Sequence, residues 1–107
     1  MSTITLREYH ALINTLIEKN ANDEAIFHCT NILTNYPKDA TTYQQLGQAL
    51  LEKKRFEDAA NVFSMVLSVF PDDFMAHAGL SEIHEENREL DKAIWHMEQA
   101  FETQPSN

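Results

Sequence analysis

The chain has 107 residues, of which 43% are hydrophobic, two are glycine and three are proline, a composition typical of one globular, helix-rich unit. Seventeen acidic side chains against eight basic ones give a net charge of −9, which disfavours nucleic acid and anionic membrane surfaces as ligands. No apolar run approaches the ~20 residues needed to cross a bilayer, and the N-terminal residues lack the pattern of a signal peptide. The only cysteine, Cys29, excludes an internal disulfide, so we expect a cytoplasmic protein.

The first segment predicts an amphipathic helix. Its apolar residues Tyr9, Leu12 and Leu16 recur at steps of three and four, which places them on one helical face. Thr5 and Glu8 have the spacing of a capping box, so the helix is expected to begin just after Thr5.

A second amphipathic helix is expected after a short polar stretch, residues 19–23, which is long enough only for a tight turn. Ala25, Cys29 and Ile32 mark its apolar face, and Pro37 ends it by removing a backbone donor. The two helices therefore form an antiparallel hairpin, with the small Ala25 at a close contact between them.

The same pattern occurs twice more at an interval of 34 residues, which predicts three hairpins at residues 6–39, 40–73 and 74–107 of a single domain, 1–107. Asp39 and Asp73 stand where they would cap the third and fifth helices. The residues that mark the interval are Ala25, Ala59 and Ala93 together with Pro37, Pro71 and Pro105. The chain is thus predicted to be all-α.

This pattern resembles the tetratricopeptide repeat, and the resemblance covers residues 6–107. The middle segment matches best, with Tyr43, Leu46-Gly47, Ala59, Phe63 and Pro71 at the family's intervals. The resemblance implies a right-handed superhelical solenoid of three antiparallel helical hairpins, six helices in all. It also implies a non-enzymatic scaffold or adaptor whose concave groove, lined by the first helix of each hairpin, binds a peptide or helix of a partner protein.

On that alignment the groove changes from polar and neutral at one end to small and acidic at the other. Side-chain amides suit an extended peptide backbone, because they both donate and accept hydrogen bonds. The acidic end favours a basic or helical ligand, although a solvated helix surface is the alternative interpretation. The predicted groove residues are His10, Asn14, Gln44, Gln45, Gln48, Glu52, Ala78, Gly79 and Glu82, and the same alignment adds Arg7, Ala11, Glu18, Thr41, Met75 and Glu86.

A second surface is expected at the C-terminal end of the stack, where no further hairpin follows in this sequence. Apolar side chains there would be exposed, and an exposed apolar patch usually marks a missing neighbour. The chain is then a piece of a longer array, a structural assembly unit that self-associates, or a protein that docks a partner through this end; alternatively, Trp95 folds onto its own hairpin. The predicted end-face residues are Ile83, Ile94, Trp95 and Phe101.

The sequence provides only weak support for a metal site or for catalysis. His77 and His84 are seven residues apart on one helix, but both occupy packing positions and no third metal ligand is evident, so no metal or other cofactor is expected. His28 and His96 are interpreted as helix surface. Cys29 lies in a core position and is expected to be an inert thiol, which leaves no candidate catalytic residue.

Overall fold

The computed structural model describes residues 3–103, and within that range the chain forms six α-helices and no strands. The first helices of the three hairpins each have 13 residues, and the second helices each have 14. The helices are α1 (Leu6–Glu18), α2 (Asn22–Asn35), α3 (Ala40–Glu52), α4 (Phe56–Val69), α5 (Phe74–Glu86) and α6 (Leu90–Thr103). The prediction of an all-α stack of helical hairpins is confirmed.

The first helix of each hairpin begins at the predicted cap. The Thr5 hydroxyl accepts from the Glu8 backbone N–H at 3.1 Å, and Glu8 Oε1 accepts from the Thr5 N–H at 3.0 Å. Asp39 and Asp73 accept in the same way from backbone N–H groups three residues further on, at 3.0 and 2.9 Å. These caps satisfy donors that the first turn of a helix leaves free.

The prolines follow the helix ends as expected. Helix α2 ends at Asn35, two residues before Pro37, and α4 ends at Val69, two residues before Pro71. Pro105 lies outside the described residues.

Each hairpin turn contains one residue in the left-handed region, at φ 61–62°, and none of these residues is glycine. They are Asn20, Lys54 and Arg88, spaced by the repeat length. In the middle turn the Lys54 N–H donates to the Leu51 carbonyl and the Arg55 N–H to the Leu50 carbonyl, both at 2.9 Å. This pair of bonds is a Schellman motif, which closes a helix through a left-handed residue.

The hairpins stack into an elongated body of 52 × 29 × 25 Å. Helix α3 contacts α1 and α5, whereas among the described residues the second helices α2, α4 and α6 do not contact one another. The first helices therefore form the inner layer of a curved stack. Ala25, Ala59 and Ala93 are buried where the helices of each hairpin meet, as predicted.

Phe63 is the centre of the interface between the second and third hairpins. Its side chain is 0% exposed and its ring lies between Gly47 of α3 and Gly79 of α5. A Cβ atom at Gly47 would stand 2.6 Å from Phe63 Cε1, and one at Gly79 would stand 2.3 Å from Phe63 Cε2. The two helices approach this closely only because both positions lack a side chain.

The interface between the first and second hairpins fills the same positions differently. Cys29 takes the place of the aromatic ring, and Ile13 and Gln45 take the places of the two glycines. A small residue on the second helix is thus matched by larger residues on the first helices. Both interfaces are closely packed, but the large side chain comes from the second helix in one and from the first helices in the other.

Candidate functional site

A shallow pocket of about 250 Å³ lies on the inner side of the stack, between the first helices α1, α3 and α5. The structure brings together four of the nine predicted groove residues here. Ile17 was missed, although it lies three residues after Asn14 and so on the same side of α1. The lining residues are Asn14, Ile17, Glu18, Thr41, Gln44, Gln45, Gln48 and Met75.

Besides Gly79, four predicted groove residues lie outside this lining. Glu52 is exposed and accepts a hydrogen bond from Gln48 Nε2 at 2.9 Å. Glu82 is exposed on α5, and Ala78 is half-buried there. His10 is half-buried and contacts the second hairpin. Their role in ligand binding stays a prediction.

His10 links the first hairpin to the second. Its Nε2 atom lies 2.7 Å from Asp39 Oδ2 and 3.1 Å from Thr42 Oγ1, and the Thr42 hydroxyl also donates to Asp39. Burial raises the pKa of Asp39, but hydrogen bonds from Thr42 and His10 outweigh it and hold the pKa below its ordinary value. Asp39 therefore serves as a helix cap and as an ionised partner for His10.

Gln44 makes the equivalent link to the third hairpin. Gln44 Nε2 donates to Asp73 Oδ1 at 2.5 Å, and both residues stand 34 positions after their counterparts His10 and Asp39. At the next equivalent position Ala78 has no polar side chain. His10 and Gln44, which were both predicted as groove residues, therefore make contacts that hold neighbouring hairpins in register.

Gln45 is 5% exposed and lies at the edge of the groove pocket, where it faces the first hairpin. Its Nε2 atom donates to the His10 carbonyl at 2.8 Å and to Asn14 Oδ1 at 2.9 Å. Its Oε1 atom is buried and has no hydrogen-bond partner within the described part of the chain. An unsatisfied buried acceptor costs free energy unless a donor reaches it.

The prediction of Gly79 as a groove residue is wrong. Gly79 is buried against the Phe63 ring. It follows Ala78 in the sequence but lies on a different side of α5. It occupies the same repeat position as Gln45, which also faces the preceding hairpin. The two residues are buried because this position of the first helix forms the contact between hairpins.

The apolar end face is a stripe along α6, and the sequence identified only part of it. The prediction that Ile83 lies on the end face is wrong, because Ile83 is 3% exposed and belongs to the core. Met97 occupies the repeat position of Cys29 and Phe63 but is about half exposed, because no described helix packs against it as α5 packs against Phe63. We call the exposed residues Leu90, Ile94, Met97 and Phe101 the end stripe.

Trp95 lies beside the end stripe and is about half exposed. Its ring makes edge contacts with His77, at a centroid distance of 5.9 Å, and with His96, at 4.9 Å. Trp95 thus packs partly onto its own hairpin, which was the alternative interpretation. Phe101, which is 73% exposed, is the most exposed residue of the end stripe.

Three histidines meet on the third hairpin. His77 Nδ1 lies 3.0 Å from His96 Nδ1, and the rings of His84 and His96 stack with centroids 5.3 Å apart. The interpretation of His96 as plain helix surface is wrong, because His96 is half-buried and contacts both of the other rings. Burial and then the charges of His77 and His84 lower its pKa to about 4. Within residues 3–103 no three His, Cys, Asp or Glu side chains are placed to hold a metal ion.

Cys29 is fully buried, and burial raises the pKa of its thiol to about 12. The thiolate is the nucleophilic form of cysteine, so the raised pKa keeps this side chain unreactive at neutral pH. No helix in the described range is both long and apolar enough to span a membrane.

The chain matches the family model described as "Tetratricopeptide repeat" over residues 16–83. No curated protein matches it. Among solved structures, "MamA MSR-1 C2" superposes with a TM-score of 0.76 at 21% identity, covering 92% of this chain and 57% of that one. "MamA AMB-1 C2221" superposes with the same TM-score at 22% identity, covering 90% and 56%. Identities this low establish the shared fold alone, and this chain spans little more than half the length of those proteins.

Proposed function

The chain belongs to the tetratricopeptide repeat family, and from this premise we propose that it is a non-enzymatic adaptor that binds a peptide or helix of a partner protein in its groove. Repeats of this family are generally protein-binding scaffolds rather than catalysts. We also propose that residues 1–107 act as one domain. The observation that carries the groove proposal is the presence of side-chain amides from two neighbouring hairpins, Asn14 of α1 and Gln48 of α3, in the lining of one pocket.

The groove residues support an extended ligand. The amides of Asn14 and Gln48 line the pocket and would exchange hydrogen bonds with the backbone of the ligand. Met75, which is partly exposed, supplies an apolar contact for a ligand side chain. No lysine or arginine lines this pocket, so a ligand anchored by its terminal carboxylate fits poorly.

The acidic residues of the third hairpin suggest the ligand's polarity. Glu82, Glu85 and Glu86 are exposed on α5. Their charges would favour a ligand that is basic where it passes α5 and would increase its association rate at low salt. We propose a segment that is neutral along α1 and α3 and basic beyond them.

A pair of matched charge variants tests the groove. Asn14→Arg with Gln48→Arg adds two charges to the groove, whereas Asn61→Arg with Ser64→Arg adds two charges to exposed positions on α4. Each protein and the wild type would be used as bait in extracts of the source cell, with bound proteins quantified by mass spectrometry. Partners lost with the groove variant alone support the proposal, whereas identical catches from all three baits refute it.

A structural assembly unit that self-associates through the end stripe is the second candidate function. The observation that favours it is the exposure of Ile94, Met97 and Phe101 along one face of α6. Sedimentation across a hundredfold range of concentration would compare the wild type with Ile94→Glu and Phe101→Glu. A concentration-dependent dimer that both variants abolish supports self-association, and a wild-type monomer throughout refutes it.

We propose a cytoplasmic location and neither nucleic acid nor membrane as a ligand. The support is the single buried cysteine, which suits a reducing compartment, and the net charge of −9.

A further inference from the structure

A second cavity, of about 470 Å³, opens between α4 and the segment that leads into α3. Met65, Val69 and Phe70 line one side, and Pro37 and Tyr43 line the other. The Tyr43 hydroxyl donates to the Pro37 carbonyl at 2.9 Å, which holds that side in place. The volume lies within the roughly 300–1,000 Å³ typical of ligand sites. We call this cavity the side pocket.

The side pocket and the groove pocket share no lining residue. Helix α3 contributes Ala40 and Tyr43 to the side pocket, whereas Thr41, Gln44 and Gln48 line the groove. Residues at these spacings project from different sides of one helix. A ligand in the groove would therefore leave the side pocket free.

The first hairpin contains the same cavity 34 positions earlier, but it is smaller and more polar. Its volume is about 200 Å³, and Asn31 and Asn35 stand where the middle hairpin has Met65 and Val69. The repeat evidently folds with asparagine at both positions, so packing within the hairpin does not require apolar residues there. Yet Val69 is 67% exposed and Met65 is about half exposed. An apolar surface that the fold does not need indicates contact with something else.

Lys38 is the only charged residue that lines the side pocket, and it forms no ion pair with any residue in the range 3–103. The equivalent residue of the first hairpin is Ile4. The middle hairpin thus combines an apolar cavity with an adjacent unpaired cation. A ligand with a large apolar side chain next to a carboxylate would complement both features.

We propose that the side pocket binds an acidic peptide segment, with one large apolar side chain inserted between Met65, Val69 and Tyr43 and a neighbouring carboxylate paired with Lys38. The ligand differs from the proposed groove ligand, which is neutral to basic. The protein would then hold two segments at once, one on the inner side of the stack and one beside α4.

Random 12-residue peptides displayed on phage provide the probe. They would be selected on the wild-type protein, and the enriched peptides synthesised and titrated by calorimetry. The disabling variant is Met65→Asn with Val69→Asn, which copies the residues of the first hairpin and is therefore compatible with the fold, as far-UV circular dichroism would verify. The control is the groove variant Asn14→Arg with Gln48→Arg.

The enriched peptides are expected to carry Leu, Phe or Trp beside Asp or Glu. Their affinity should fall at least tenfold in the disabling variant, fall severalfold in Lys38→Gln, and stay unchanged in the groove variant. Failure to enrich any such peptide, equal affinity for the disabling variant, or loss of binding in the groove variant would overturn the proposal.

The reciprocal transfer tests whether these residues define the site. Ile4→Lys, Asn31→Met and Asn35→Val together give the first hairpin the residues of the side pocket. The calorimetric stoichiometry for the selected peptide should rise from one to two. A stoichiometry that stays at one would refute the assignment of the site to these three positions.

Discussion

Replacing Gly79 with alanine is expected to destabilise this protein, against the general preference of helices for alanine. The added Cβ would stand 2.3 Å from Phe63 Cε2, more than 1 Å inside an ordinary carbon–carbon contact of roughly 3.5 Å. The Phe63 ring cannot move aside, because it is 0% exposed and its opposite edge already lies against Gly47. The clash must therefore be relieved by separating α3 from α5.

The magnitude follows from two opposing effects. The greater helix propensity of alanine contributes about 1 kcal/mol of stability. Overpacking a filled interior costs about 1–3 kcal/mol, and a position enclosed on both sides belongs at the upper end of that range. The net loss is expected to be about 1–2 kcal/mol, which lowers the thermal midpoint of a domain of this size by about 5–10 °C.

Urea denaturation followed by far-UV circular dichroism would compare the wild type, Gly79→Ala, Phe63→Leu and the double variant. Leucine lacks the ring edge that meets the new Cβ, so the double variant should be at least about 1 kcal/mol more stable than the sum of the single effects predicts. Ser64→Ala, at an exposed position of α4, controls for helix propensity. A Gly79→Ala protein as stable as the wild type, or strictly additive effects, would refute the close-packing explanation.

Lys54→Gly is expected to raise the free energy of unfolding by about 0.5–1 kcal/mol, because Lys54 holds φ at 61° where glycine is unstrained. Asn20→Gly should change it less, since asparagine tolerates this region, and a loss of stability in Lys54→Gly on urea denaturation would contradict the argument. His96→Val should remove an acid-sensitive part of the stability, because burial and the neighbouring His77 and His84 lower the His96 pKa from 6.5 to about 4. As the pH falls, the unfolded chain therefore binds a proton at this histidine before the folded chain does. The contribution of neutral His96 to the free energy of unfolding is complete above pH 6.5 and is lost as the pH falls toward 4. For a half-buried group we expect this contribution to be about 1 kcal/mol. The thermal midpoints of the wild type and of His96→Val, measured near pH 7 and pH 4.5, would test this. An equal fall of the midpoint with pH in the two proteins would contradict the argument.

The hairpins and their ends could be predicted from the sequence because the signals are local. A cap such as Thr5 or Asp39 bonds to a backbone N–H three residues away, and Pro37 acts on the helix that precedes it. Such interactions depend on short stretches of chain and recur at each interval of 34 residues. The turns were located correctly too, but their left-handed residues lacked the usual glycine signal.

The groove residues could be predicted only in part, because neighbouring positions on one helix face different surroundings. Gln44 and Gln45 are adjacent in sequence, yet Gln44 braces the third hairpin through Asp73, whereas Gln45 is buried against the first. A pattern of polar residues does not distinguish these directions, which depend on how adjacent hairpins pack. The side pocket was missed for the same reason, since it is assembled from α4, the segment that precedes α3 and the first residues of α3.

The sequence by itself determined the six helices, their pairing into hairpins and the 34-residue period, because hydrogen bonds and apolar spacing within each segment specify them. Only the tertiary structure decided which side chains face another hairpin and which face solvent. Phe63 and Met97 occupy the same repeat position, but Phe63 is enclosed by α3 and α5, whereas Met97 has no described helix over it. Burial is a property of the neighbours that pack against a residue, and those neighbours come from other parts of the chain.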